Sequence, residues 1–289
     1  VRCSGNIIKN VKGVTVPNSG GMRGIAAAAT LGAIGGNAEA ELEVLEHVTS
    51  EQIARAKELV LRGFCTCTLA EGVANLYIAA KVTGGEHWAE VTIINRHTYI
   101  TKIVKDGKVL YSQEALADNQ GEKNIDKESI TLAGILDFAK IVKIEDVADL
   151  LQRQIDLNSK IANEGLTHAY GAQVGKTLLQ MYGDDVKTRA RAKAAAGSDA
   201  RMGGCSLPVV INSGSGNQGM TVSLPVIEYA KYLQVSNDIL YRALIISNLI
   251  SIHQKKYIGS LSAYCGAVTA AAGAGAAITF LSGGDDTQI

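Results

Sequence analysis

Between Ala194 and Gly219 the chain reads AAAGSDARMGGCSLPVVINSGSGNQG. Glycines stand at 197, 203, 204, 214, 216 and 219, with mostly small or hydrogen-bonding side chains between them. Glycine permits positive φ and lets a backbone come close to a ligand, at an entropic cost that a plain connector need not carry. Ser213, Ser215, Asn217 and Gln218 add hydroxyls and amides suited to the charged ends of a small substrate. Their main-chain N–H groups could form an anion-binding concavity. The competing interpretation is a glycine-rich surface loop. Taken alone, the stretch says small-molecule site and names no reaction.

Other residue types narrow the chemistry. Cys265 lies in LSAYCGAVTAAAGAGAA, where a thiol is ordinarily a small buried hydrophobe. As a metal ligand it would need partners, and no second cysteine stands nearby at metal spacing. Cys65-Thr66-Cys67 alternates along an expected strand, which is weak evidence for a site. The histidines at 47, 87, 97, 168 and 253 form no H-x-x-x-H or H-E-x-x-H pattern, which argues against a zinc hydrolase. His97 and His168, in or beside loops, could act as acid or base, or be merely solvated. There is no phosphate-binding G-x-x-x-x-G-K-[ST] loop, and no lysine is marked as a Schiff-base residue. Asp199 and Arg201 either pair to brace the glycine loop or sit solvated at its edge.

Composition sets further bounds. With 289 residues the chain can bury a core, and 28 basic residues balance 28 acidic ones. No global field therefore recruits nucleic acid or an anionic membrane. Five scattered cysteines are unlike a secreted disulfide framework and suit reduced thiols in a cytoplasmic protein. Leu261 to Leu281 is uncharged and long enough to span a membrane, but 8 of its 21 residues are alanine and 3 are glycine. Such residues gain little from hydrocarbon, so close packing between helices is expected instead. An exposed face on that helix would favour a homodimer. Both ends of the chain read as cuts through a longer protein.

The elements that must position these residues suggest an α+β fold. The expected arrangement is a mainly helical catalytic body, residues 1–48 and 146–289, interrupted by a small, mostly antiparallel α+β lobe at 49–145. Residues 1–24 read as irregular and polar. Ile25–Ile34 reads as a small-residue helix and Glu39–Val48 as an acidic one. Thr49 and Gln52 have capping-box spacing for a helix to Arg62. Cys65–Leu69, Leu76–Val82, Trp88–Ile94, Tyr99–Val104 and Lys108–Tyr111 read as strands, with Asp106-Gly107 a hairpin turn. A polar loop is expected at 112–129. Helices are expected at Leu132–Val142, Glu145–Asn163 (with a break at Gly165), Tyr170–Met181, Val186–Ala196, Asp238–Gln254 and Leu261–Leu281.

Five stretches together resemble one family: GVTVPNSGGMRG, LGAIGGNAEAELEVLE, NEGLTHAYGAQVGKTL, GSDARMGGCSLPVVINSGSGNQG and LSAYCGAVTAAAGAGAA. They are similar to the L-cysteine desulfidases of bacteria and archaea, a group related to the catalytic part of iron–sulfur L-serine dehydratases. The resemblance implies a 4Fe–4S cluster held by three cysteines, with one iron open to act as a Lewis acid on the leaving group while a protein base removes the Cα proton. L-cysteine would yield hydrogen sulfide, ammonia and pyruvate; L-serine would lose water.

Carried over by residue, Cys265 matches the middle cluster cysteine, against the buried-thiol interpretation above. The first ligand motif, cysteine–threonine–glutamate–proline, would lie before Val1, and the third, methionine–isoleucine–cysteine–aspartate–glycine, beyond Ile289. Two of the three ligands are thus expected outside this chain, which would not assemble a cluster unaided. Asn212, Ser213, Gly214, Ser215, Gly216 and Asn217 match the polar glycine loop, assigned to the substrate's carboxylate and amino group. Asn6, Lys9 and Asn10 match the segment after the first ligand, with Lys9 the candidate base and Ser213 and Ser215 its rivals. A non-catalytic module holding a small carboxylate is the alternative from another class.

Overall fold

In the computed structural model, which describes residues 1–115, 130–258 and 265–289, helices predominate and one six-stranded sheet is present, giving an α+β fold with a helical body. The chain divides into two units, Val1–Asn124 and Ile125–Ile289. The sequence-based boundaries at 49 and 145 differ from this division because the first residues are not irregular. Arg2–Ser4 forms strand β1, and Gly5–Val11 forms helix α1. Ser4 links the two: its side chain accepts from Ile7 N and donates to Asn75 O at 2.6 Å.

The first unit continues with α2 (Gly24–Gly35) and α3 (Ser50–Leu61). The capping box read from Thr49 and Gln52 is present with both of its hydrogen bonds. The acidic helix expected at Glu39–Val48 is only a short 3₁₀ segment, Ala38–Glu43, broken by Glu41 at φ 47°. Strands β2 (Thr68–Ala70), β3 (Tyr77–Gly84), β4 (His87–Ile94), β5 (Ile100–Lys105) and β6 (Lys108–Ser112) complete the sheet. Its order is β2-β1-β3-β4-β5-β6, antiparallel throughout except for the parallel β1/β2 pair. Cys65 and Cys67 precede β2 rather than alternating along it. Burial first, then the neighbouring Cys67, push the Cys3 thiol up to about 11, so Cys3 is protonated at neutral pH.

The second unit contains α4 (Leu132–Ile141), α5 (Ala148–Thr167), α6 (Val174–Tyr182), α7 (Val186–Met202), α8 (Gly216–Leu233), α9 (Asn237–Ile258) and α10 (Gly266–Leu281). Its main core joins Ile135 and Leu136 of α4, Leu151 of α5, Val226 and Ile227 of α8, Leu244 and Ile246 of α9, and Ala277 of α10. A second cluster joins Ile161, Ala200, Met220 and Leu224. Helix α8, which no periodic pattern announces, is buried on most sides. It forms because its surroundings are helices on several faces, so no polar stripe is required.

Helix α5 runs through the break expected at Gly165. A Cβ at Gly165 would enter the Ala196 backbone of α7, so this glycine serves a close helix crossing. Gly197 does the same within α7, which extends well past the expected end at Ala196: a Cβ there would lie 2.6 Å from Met220 Sδ. Most of the polar loop expected at 112–129 and the first residues of the Leu261–Leu281 helix lie outside the described residues. Among the described residues no helix is long and apolar enough to cross a membrane.

Candidate functional site

Ser213 and Gly214 reverse the chain with φ of 46° and 78°, a backbone that glycine adopts freely and serine only at a cost. Asn212 and Ser215 exchange two backbone hydrogen bonds across this turn, at 3.1 and 3.0 Å. Ser215 then caps α8, its hydroxyl accepting from Gln218 N at 3.3 Å. The turn therefore leads directly into a helix start, where the N–H groups of Gly216 and Asn217 have no intrahelical acceptor and favour negative charge.

A chain of amides holds this turn. Asn248 and Gln154 pair reciprocally at 3.1 and 2.9 Å, and Asn248 Oδ1 accepts from Asn212 Nδ2 at 2.9 Å. Asn212 Oδ1 in turn accepts from Gln218 Nε2 at 2.7 Å. Gln218 Nε2 also donates to Ser251 Oγ at 2.9 Å. Next to the turn, Asn158 accepts from Val210 N at 2.9 Å and donates to Gly219 O at 3.2 Å and Ser223 Oγ at 3.0 Å. Asn158, Gln218 and Ser251 have no solvent exposure at all. Buried amide networks specify one arrangement, since each broken bond strands a polar group. The Asn212 amide is consumed by this network and positions the turn.

Cys265 lies one residue before a close approach of α10 to α8. It caps α10 and is exposed, and the next residue, Gly266, lies so close to Gln218 Oε1 that a Cβ there would overlap it. Lys255 of α9 also reaches Gly266, its Cε 3.5 Å from that Cβ position. Burial pulls the Lys255 ammonium below the usual lysine range, while Cys265 opposes the shift. An exposed thiol at a helix N-terminus beside an ammonium has the chemical type of a metal ligand. A four-iron cluster needs at least three such donors, and among the described residues no group of three or more His, Cys, Asp or Glu could hold a metal ion. The described residues therefore do not by themselves make up a site for the cluster.

The Asp199–Arg201 pairing, one of the two readings left open by the sequence, does not occur. Asp199 accepts from Ala172 N at 3.3 Å and Val174 N at 2.7 Å, fastening the start of α6. Arg201 turns to α8, donating from Nη1 to Asn217 Oδ1 at 3.2 Å, with its Nε where a Cβ on Gly216 would have to sit. Burial pulls its guanidinium below the ordinary arginine range.

Ser213 Oγ donates to Asn212 Oδ1 at 3.2 Å. Among the described residues neither Ser213 nor Ser215 has an imidazole or carboxylate as a hydrogen-bond partner, the arrangement that activates a hydroxyl. In the first unit, Asn6 is half-buried on α1, whereas Lys9 and Asn10 are exposed there. His97 and His168 are also exposed; His168 Nδ1 is 2.9 Å from Glu164 Oε1. Asn158, Asn248, Ser251 and Lys255 went unrecognised in the sequence. They lie on α5 and α9 at ordinary helical positions, and nothing local distinguishes them.

The chain matches a model of the serine dehydratase alpha chain over residues 39–289. The UPF0597 protein of Lachnoclostridium phytofermentans is 54% identical over 289 residues, which is 100% of this chain and 69% of that protein. The UPF0597 protein of Finegoldia magna is 45% identical over 97% of this chain and 67% of its own length; that of Desulfitobacterium hafniense is 46% identical over 99% and 66%. The chain thus spans about two thirds of the length of these curated relatives. No solved structure matches.

Proposed function

The chain belongs to the serine dehydratase alpha chain family, and on that premise we propose that it is the catalytic part of a lyase that performs β-elimination on a small L-amino acid, with L-cysteine the first substrate. The Cα proton passes to a base, hydrosulfide leaves Cβ, and the resulting aminoacrylate hydrolyses to pyruvate and ammonia. Cys265 is the one ligand that this chain would contribute to a 4Fe–4S cluster, the other two lying outside it. The observation that supports the reading is the close approach of Gly266, the residue after Cys265, to Gln218 in the first turn of α8; the proposal assigns the thiol and the polar glycine turn, distant in sequence, to one site.

Within that site Gly214, Gly216 and Asn217 offer main-chain and amide groups to the substrate, and Asn212 holds their geometry. For proton abstraction Lys9 is the leading candidate. Among the described residues the side-chain partners of Ser213 and Ser215 are amide groups, which do not accept a proton from a hydroxyl at neutral pH. Asn6 and Asn10 share the α1 segment with Lys9. A cytoplasmic setting and a homodimer through the exposed side of α10, where Val268 is 72% exposed, belong to the same proposal. L-serine is the second substrate, favoured by the description of the family model.

Anaerobic reconstitution of the full-length protein tests the reading. Wild type should show iron–sulfur absorbance and release sulfide from L-cysteine or pyruvate from L-serine. Cys265→Ser should lose both signals while keeping its helical circular dichroism. A full-length protein that stays colourless and inactive after reconstitution would refute the proposal.

A further inference from the structure

Among the described residues Arg201 is a cation without a counter-charge. It stands in the last turn of α7, where a guanidinium ordinarily satisfies its own helix carbonyls. Those carbonyls are already taken: Asp199 O by Gly203 N at 2.8 Å, Ala200 O by Cys205 N at 3.0 Å and Arg201 O by Gly204 N at 3.3 Å. The carboxylate two residues before it, Asp199, is bound to the amides at the start of α6. No described carboxylate lies within ion-pair distance of Arg201. Its contacts are Asn217 Oδ1 at 3.2 Å and the weakly accepting Met202 Sδ at 3.5 Å, both through Nη1. Nε and Nη2 meet no acceptor among the described residues. A largely buried guanidinium left this way is costly unless a ligand supplies the anion.

Its surroundings fit one anion shape. The guanidinium lies against Gly216, where no side chain fits, so it adjoins the open N–H groups of the first turn of α8. A planar fork of donors beside helix N–H groups matches a carboxylate. An independent observation points to a ligand on the same turn. Gln218 is wholly buried, both of its amide donations are used, and its Oε1 has no donor among the described residues. A donor group lacking an anion lies against Gly216, and two residues on in the same helical turn Gln218 carries an acceptor lacking a donor; together they complement the two ends of a zwitterion.

We propose that Arg201 binds the α-carboxylate of the amino-acid substrate and seats it on the Gly216–Asn217 turn. The assignment rests on the lyase reading for the identity of that substrate. Its test is ligand binding by the full-length protein, measured calorimetrically with L-serine, with 3-hydroxypropionate (no amine) and with ethanolamine (no carboxylate). In Arg201→Met the affinity for L-serine and 3-hydroxypropionate should fall by about 100-fold, with ethanolamine unchanged and Arg201→Lys intermediate. Asn217→Asp supplies an internal carboxylate to Arg201; it should melt no lower than wild type yet lose L-serine binding to a similar degree. This second variant keeps the test valid if Arg201→Met fails to fold.

Wild-type affinity for L-serine in Arg201→Met or Asn217→Asp overturns the assignment. If reconstituted enzyme forms pyruvate and Arg201→Met leaves KM unchanged, the assignment falls and the lyase reading stands. If carboxylates bind through Arg201 but neither L-serine nor L-cysteine is converted, the lyase reading falls and Arg201 remains an anion site. A wild type that binds no small carboxylate ends both.

Discussion

Two turns of this chain have nearly the same backbone and opposite surroundings. Asp106 and Gly107 join β5 to β6 with φ of 47° and 81°; Ser213 and Gly214 join Asn212 to Ser215 with φ of 46° and 78°. Both have the double positive φ of a two-residue hairpin loop. At the first, the Asp106 carboxylate ties back to Trp88 N at 2.7 Å and to His87 Nδ1 at 2.8 Å, on the surface. At the second, flanking residues enter a buried amide network that spans α5, α8 and α9. Local sequence makes a turn in both cases. Burial turns one of them into a rigid platform at the start of a helix, while the other only reverses the chain.

Substitution can break or sharpen this contrast. The largest difference is expected between Gly219→Ala and Gly107→Ala. A methyl at Gly219 would enter the Val210 carbonyl and should destabilise the fold by about 3 kcal/mol or more, because backbone cannot yield as a side chain can. Gly107 has open space around it, so alanine there should cost only about 1 kcal/mol for its positive φ. Equal urea-unfolding costs would erase the distinction.

A smaller effect is expected at the turn itself. Ser213→Asn keeps a residue that tolerates this φ and removes the hydroxyl. In reconstituted enzyme kcat should fall by less than about tenfold, whereas loss of a general base costs roughly 100-fold or more. A larger fall would restore Ser213 as a catalytic group and make the platform chemically active.

The smallest effect belongs to the surface turn. The Trp88 N–H, with His87 second, holds the Asp106 carboxyl below the usual aspartate range. A depressed carboxyl stabilises the fold above its unfolded pKa, and that contribution is lost as pH falls through the folded value. Asp106→Asn should therefore lower the melting temperature slightly at pH 7, with the difference from wild type shrinking below about pH 4. A difference that grew on acidification would contradict the assigned partners.

Much of the first unit was legible because its signals are local. Thr49 with Gln52 marked the start of α3, and Asp106-Gly107 marked the β5–β6 hairpin. Strand β1 was not legible, because three residues carry no period and its pairing partners lie at 68–70 and 78–79. At the candidate site the turn at 212–217 stood out by residue type, whereas Cys265 read as a buried thiol until the family resemblance marked it. The supporting residues Asn158, Asn248 and Ser251 did not, since a polar residue on a helix looks the same whether it meets water or another amide. Asp199 and Arg201 invited pairing by their spacing, and only the structure revealed that each faces a different helix.

Sequence alone determined where the backbone must bend and where helices could begin, because capping side chains and glycines act within a few residues of themselves. It also determined which polar and thiol groups were present to do chemistry. Only the tertiary structure decided which glycines are turns and which, like Gly165, Gly197 and Gly219, are contact points between distant elements. It likewise decided which charges are compensated. Both outcomes depend on what lies opposite in space, and that partner is brought there by the packing of the whole unit.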